Sequence, residues 1–115
     1  MDYLLIIVLF TGASFLVYGV NSLVSGRMKK EFKRWGLERR RKSIAYSQLA
    51  CGAGLFFGLE WNIVLIFSSA FLVLMMLVAI GVRVRINDDA SEILPAFAYM
   101  VLGAIILYEA VAQIP

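Results

Sequence analysis

The side chains able to do chemistry are few, and the missing types set the first limits. The 115 residues include no histidine and a single cysteine, Cys51. Histidine is the commonest general base near neutral pH and the usual haem or zinc ligand. One cysteine can form neither an internal disulfide nor a Cys-x-x-Cys redox pair. Buried away from water, Cys51 would stay a thiol and serve as a small packing residue. The nucleophile–base and metal constellations expected of a stand-alone enzyme are absent, so the expectation is binding without catalysis, with no catalytic residue, no metal and no intrinsic cofactor. Redox chemistry would have to enter with a partner or a bound molecule.

What remains is polar but uncharged. Tyr18, Asn21, Ser22, Tyr46, Ser47, Gln48 and Tyr99 interrupt otherwise apolar stretches. Phenols and amides can hydrogen-bond the carbonyl of a quinone or the headgroup of a lipid, which makes Tyr18, Asn21, Tyr46, Gln48 and Tyr99 the candidate ligand-binding set. The same groups could simply join helices, at about 0.6 kcal/mol per bond. An amide in hydrocarbon costs several kcal/mol unless paired, so Gln48 should point inward and find a partner. Glu60 and Glu109 lie near the outer ends of apolar stretches. Ionisable groups inside a span are functional candidates, here for a proton relay or a carboxylate dyad; these two sit within a turn or so of water, and the plainer reading is solvated helix ends.

The elements that must position these groups are read from hydropathy. The chain is 62% hydrophobic with a mean hydropathy of +0.85, against roughly 45–50% apolar residues in ordinary soluble domains. Four apolar segments follow one another at about 3–24, 43–59, 63–82 and 93–112. A spanning helix needs roughly 20 apolar residues, and the second segment is at the short end. Stretches such as 63–67 and 71–78 show none of the polar periodicity of a soluble helix. The first segment lacks a basic n-region and a cleavage site, so it reads as a permanent membrane helix. The expected fold is a single all-α domain, 1–115: an antiparallel integral membrane four-helix bundle.

Charge orients it. All eleven Lys and Arg residues fall in two places, nine within the loop 25–42 and two, Arg83 and Arg85, after the third segment. Four spans put both places on one side, and short basic loops stay in the cytoplasm. Both termini are then non-cytoplasmic, with Asp2, Glu60 and Glu109 on the outer side. Trp61 in the short Glu60–Asn62 connection suits the outer interface, and the connection makes its flanking helices antiparallel neighbours. Asp88, Asp89, Ser91 and an early Pro95 are start signals for the last helix.

Two further patterns carry binding readings. In the basic loop Met28, Phe32 and Trp35 share one side of a short helix, ringed by Lys29, Lys30, Lys33 and Arg34; such a segment could lie apolar side down among headgroups. The plainer reading is a topology determinant, and nucleic acid is not an expected partner. Small residues mark close helix contacts: Ala50, Gly54 and Gly58 in the second segment, and Ala96, Gly103 and Ala110 in the fourth. They suit packing inside the bundle, or a homo-oligomer.

The blocks Glu31-Phe-Lys-Arg-Trp-Gly-Leu37, Gln48-Leu-Ala-Cys-Gly-Ala-Gly-Leu55 and Arg83-Val-Arg-Ile-Asn-Asp88, followed by Leu94-Pro-Ala96, resemble the DoxX-like family of small four-helix membrane proteins. The resemblance covers nearly the whole chain. It implies a multi-pass protein of a bacterial or archaeal cytoplasmic membrane. Some relatives are membrane subunits of oxidoreductases that pass electrons to quinone, and a distant animal branch assists receptor assembly. Where many relatives carry a glutamate in the second helix this chain has Gln48, which keeps hydrogen bonding but not acid–base chemistry. The leading expectation is a non-catalytic membrane subunit that binds a quinone or lipid and partners a redox enzyme. The alternatives are an assembly factor for other membrane proteins and a small transporter subunit.

Overall fold

Apolar runs without strand-like alternation become helices. The computed structural model describes residues 2–87 and 89–113, without the side chains of Asp2 and Glu92. The start signal assigned to Asp88 and the outer charge assigned to Asp2 lie outside the described groups. Four long helices form: α1 (Asp2–Val24), α3 (Arg41–Phe57), α4 (Asn62–Arg85) and α5 (Ala90–Ala112). A short α2 (Gly26–Arg34) and a 3-10 turn, Glu38–Arg40, fill the basic loop.

The helices α1, α4 and α5 contain stretches long and apolar enough to cross a membrane, at Tyr3–Val24, Asn62–Arg85 and Ile93–Ala112. Helix α3 has only 17 residues and opens on Arg41 and Lys42. At 1.5 Å per residue it is about 26 Å long, against about 35 Å for the 23 residues of α1. The second apolar segment thus starts two residues earlier than the hydropathy suggests and ends two earlier. The chain turns at Gly58, whose backbone abuts Leu65 of α4 so closely that a methyl group would lie 2.7 Å from the Leu65 Cα.

Helix α1 packs along α3 and α4 along α5, while α3–α4 and α1–α5 contacts join the two pairs. Val8, Phe15, Leu55, Leu72 and Ile106 are fully buried between them. Helices α1 and α3 cross closely at Gly12, where a methyl on Gly52 would come within 2.8 Å of the Gly12 carbonyl oxygen. Without a hydrophobic drive between helices in lipid, such backbone approach is how apolar helices gain contact.

Polar groups tie the helix ends. The Arg41 guanidinium donates to the carbonyls of Ser22 and Leu23, at 2.7 and 2.9 Å, at the last turn of α1. Asn62 Nδ2 does the same for the Ala110 carbonyl of α5, at 2.8 Å. Carbonyls in a last helical turn lack the usual i+4 donor; that of Ala110 also accepts from the Gln113 N–H, at 3.3 Å. Helix α4 stops at Asn87, whose positive φ of 59° is a left-handed cap that asparagine accepts more readily than most residues. Helix α5 starts at Ala90, so Pro95 sits inside the helix, a turn deeper than expected of a start signal.

Between α1 and α3 the chain is built with care for its backbone. Ser25 caps α2, its hydroxyl accepting from the Met28 N–H at 3.4 Å. At the far end Gly36 adopts φ 76°, with Leu37 N bonded to Phe32 O and Gly36 N to Lys33 O. That pair of bonds, around a left-handed glycine, satisfies the last carbonyls of α2.

Candidate functional site

The uncharged polar groups separate onto different faces, because 100° per residue sends neighbours in sequence to different sides of a helix. Tyr18 of α1 meets Tyr99 of α5, the Tyr18 hydroxyl donating to the Tyr99 oxygen at a long 3.5 Å. Their rings cross at 90° with centroids 5.6 Å apart. Phe15 packs edge-on against both, and Phe10 stacks on Tyr99 at 6.2 Å with planes 11° apart. Beside this cluster runs a shallow, mainly apolar groove of about 340 Å³ on the outer face of α1, lined by Phe10, Ala13, Ser14, Val17 and Tyr18. The Ser14 hydroxyl is already bonded to the Phe10 carbonyl at 2.8 Å. Asn21 is exposed on the same stripe, since 10, 14, 17 and 21 follow helical spacing.

Gln48 is elsewhere. Its Oε1 accepts from the buried Ser22 hydroxyl at 2.9 Å, across the α1–α3 interface. The amide thereby has the inward partner that burial demands, and it faces away from the groove stripe. Tyr46 points outward from α3, 59% exposed. Of the five expected ligand residues, the structure brings together Tyr18 and Tyr99, leaves Asn21 in line with them, and sets Gln48 and Tyr46 apart. Phe10, Phe15 and Ser14 belong to the same neighbourhood but carry no distinctive spacing; only their helical register with Tyr18 could have marked them.

The small residues fall into contacts, with one exception. Gly54 abuts Ser68 and Gly58 abuts Leu65, both on α4, while a methyl on Gly103 would lie only 2.5 Å from Leu72 Cδ2. Ala96 and Ala110 are buried. Ala50 is exposed, and the crossing with α1 is made instead by Gly52 and Gly12. Cys51 is buried and donates to the Ser68 carbonyl at 3.4 Å.

The basic loop departs from the expected geometry. Phe32 is 2% exposed and Trp35 half-buried, their rings crossing at 5.0 Å, with the Arg83 guanidinium 4.7 Å from the Trp35 ring centre. The stripe expected to face headgroups is turned onto the protein, where the end of α4 supplies a cation for the indole face. Met28 is partly covered, and Lys29, Lys30, Lys33 and Arg34 remain exposed. Arg34 pairs with Glu31, its Nη2 2.6 Å from the carboxylate.

At the opposite end Glu60 is exposed in the α3–α4 turn, and Glu109 of α5 receives a hydrogen bond from the Tyr3 phenol of α1. Among the described residues no three His, Cys, Asp or Glu side chains converge on one point. The model of the DoxX-like family matches residues 3–106. No curated protein and no solved structure matches the chain.

Proposed function

The chain belongs to the DoxX-like family and is a membrane protein, and on that footing we propose a non-catalytic membrane subunit that binds a quinone and partners a redox enzyme. It crosses the membrane four times with both termini non-cytoplasmic. Helix α3 is the fourth span: it lies along α1 and its last turn folds directly into α4. All eleven cations then fall on one side, as short basic loops on the cytoplasmic face require.

The observation that carries the ligand reading is the pair of phenols at the edge of an apolar groove. At 3.5 Å the Tyr18–Tyr99 contact is at the limit of a hydrogen bond, so either hydroxyl can turn to a better acceptor at little cost. A quinone carbonyl is an acceptor only. Phe10 offers a ring for the quinone plane to stack on, and Ala13 and Val17 offer an apolar path for a prenyl tail. Asn21 lies further along the same stripe as a second donor. Gln48, held by Ser22, positions α1 against α3 rather than touching the ligand. A lipid with a carbonyl-bearing headgroup satisfies the same chemistry and is an outcome of the test.

An assembly factor would dock helices of other membrane proteins through the basic loop or through the Gly54/Gly58 face. That face is taken by α4 of the same chain.

The test is quinone retention by the full chain purified in mild detergent and extracted for quantification. Tyr18→Phe with Tyr99→Phe removes both donors while keeping the rings, and should lower retained quinone about tenfold, as expected for about 1–1.5 kcal/mol of hydrogen bonding. Gln48→Leu should leave it unchanged. A preparation that carries no quinone, or equal retention in the double variant, would refute the site; copurifying lipid lost on the same substitutions would reassign the ligand.

A further inference from the structure

We propose that α2 and the turn after it form a recognition site for anionic phospholipid headgroups, separate from the groove on the outer face of α1. It rests on the chain being a membrane protein and on nothing else in the preceding reading. Helix α1 is about 35 Å long, which exceeds the roughly 30 Å of bilayer hydrocarbon. Its last turn therefore emerges at the headgroup layer. Only Ser25 separates Val24 from the first residue of α2, so α2 starts at that depth. Within 26–42 stand nine cations and two carboxylates, Glu31 and Glu38.

Internal contacts consume few of these charges. Arg41 caps α1, and Arg34 is paired with Glu31. Arg27, Lys29, Lys30, Lys33, Arg39, Arg40 and Lys42 make no ion pair among the described residues and, save for the capped backbone, project outward. The apolar side of α2 is used up on Trp35 and Arg83, which holds its cationic side away from the protein. Three of the free cations surround a depression of about 300 Å³ lined by Lys33, Gly36, Leu37, Glu38, Arg39 and Arg40. Its floor is the left-handed turn at Gly36, where nothing lies within 4 Å of the missing Cβ. A phosphate fits a shallow polar hollow with guanidinium forks and an ammonium at its rim, and Leu37 supplies an apolar wall for the glycerol carbons. Glu38 on the rim disfavours doubly charged phosphates and leaves a singly charged phosphodiester the better match.

Nondenaturing mass spectrometry of the full chain in neutral detergent reads this out as lipid adducts. Phosphatidylglycerol should be held at least tenfold better than phosphatidylcholine, and raising ammonium acetate should erode that preference. Neutralising the rim with Lys33→Gln, Arg39→Gln and Arg40→Gln should remove the preference, since each charge is worth about fivefold near an anionic surface. The charge-keeping variant Lys33→Arg, Arg39→Lys, Arg40→Lys should retain most of it, and Tyr18→Phe with Tyr99→Phe all of it. Should the neutral triple fail to fold, Arg39→Gln and Arg40→Gln singly, together with the salt series on the natural chain, decide the matter. Equal binding of the two lipids, a preference indifferent to salt, or unchanged adducts in the neutral variants would overturn the proposal. Displacement of phosphatidylglycerol by millimolar inorganic phosphate would overturn the assignment to lipid.

Discussion

A methyl group on Gly52 meets a backbone carbonyl, and on Gly81 it meets nothing. Both glycines sit in helices, where replacement by alanine gains up to about 1 kcal/mol of propensity. At Gly52 the gain is outweighed, because the Gly12 oxygen cannot rotate aside as a side chain could, and overpacking costs about 1–3 kcal/mol. Gly52→Ala should therefore lower the thermal midpoint in detergent, while Gly81→Ala should leave it unchanged or raise it. Equal midpoints for the two variants would mean that α1 and α3 do not cross at Gly12. The contrast also shows what a single sequence reveals about small residues. Ala50, Gly54 and Gly58 share one stripe by spacing, yet α3 lies between two neighbours and uses two faces. Gly54 and Gly58 face α4, Gly52 faces α1, and Ala50 faces neither. Periodicity marks a stripe but cannot say how many partners a helix has. Gln48 is more legible: a partly buried amide in an apolar span must be paired, and Ser22 is among the few polar groups at its depth.

At the scale of elements, α2 is the part whose composition and whose placement say different things. Its stripe of Met28, Phe32 and Trp35 has the spacing of a helix lying on lipid. The structure spends that stripe on Arg83, which is 48 residues away in sequence and has no local relation to it. Long-range pairing of this kind leaves no trace in hydropathy, whereas the four apolar segments and the break between α3 and α4 do. A cation over an indole contributes about 0.5–2 kcal/mol, and the Phe32 contact adds to it. Trp35→Ala should therefore loosen α2 without unfolding the chain. Tryptic cleavage at Lys29, Lys30 or Lys33 requires local opening, and its rate should rise about fivefold for each kcal/mol lost. Trp35→Phe, which keeps a ring face for Arg83, should fall between. Cleavage no faster in Trp35→Ala than in the natural chain would mean that α2 is held by other contacts.

At the scale of the whole molecule, the fold and the charge pattern make one joint statement about the membrane. Three helices qualify as spans by length and composition, and α3 falls short with 17 residues. If α3 stayed at the surface, three crossings would place Arg83 and Arg85 opposite the nine cations of residues 27–42, against the preference of short basic loops for one side. It would also pull α3 from α1, breaking the Ser22–Gln48 bond and the cap that Arg41 forms on α1. Closing the 26 Å of α3 across roughly 30 Å of hydrocarbon needs only a few ångströms of bilayer thinning, at fractions of a kcal/mol per ångström. The proposed topology rests on crossing being the cheaper arrangement. With Cys51→Ala as background, single cysteines at Lys30, Arg85, Trp61 and Gln113 test it by membrane-impermeant thiol labelling of intact cells and of inverted vesicles. Lys30→Cys and Arg85→Cys should label only in inverted vesicles, and Trp61→Cys and Gln113→Cys only in intact cells. Lys30 and Arg85 labelling from opposite sides would remove α3 from the membrane, and with it the shared depth of Tyr18 and Tyr99 on which the ligand groove depends.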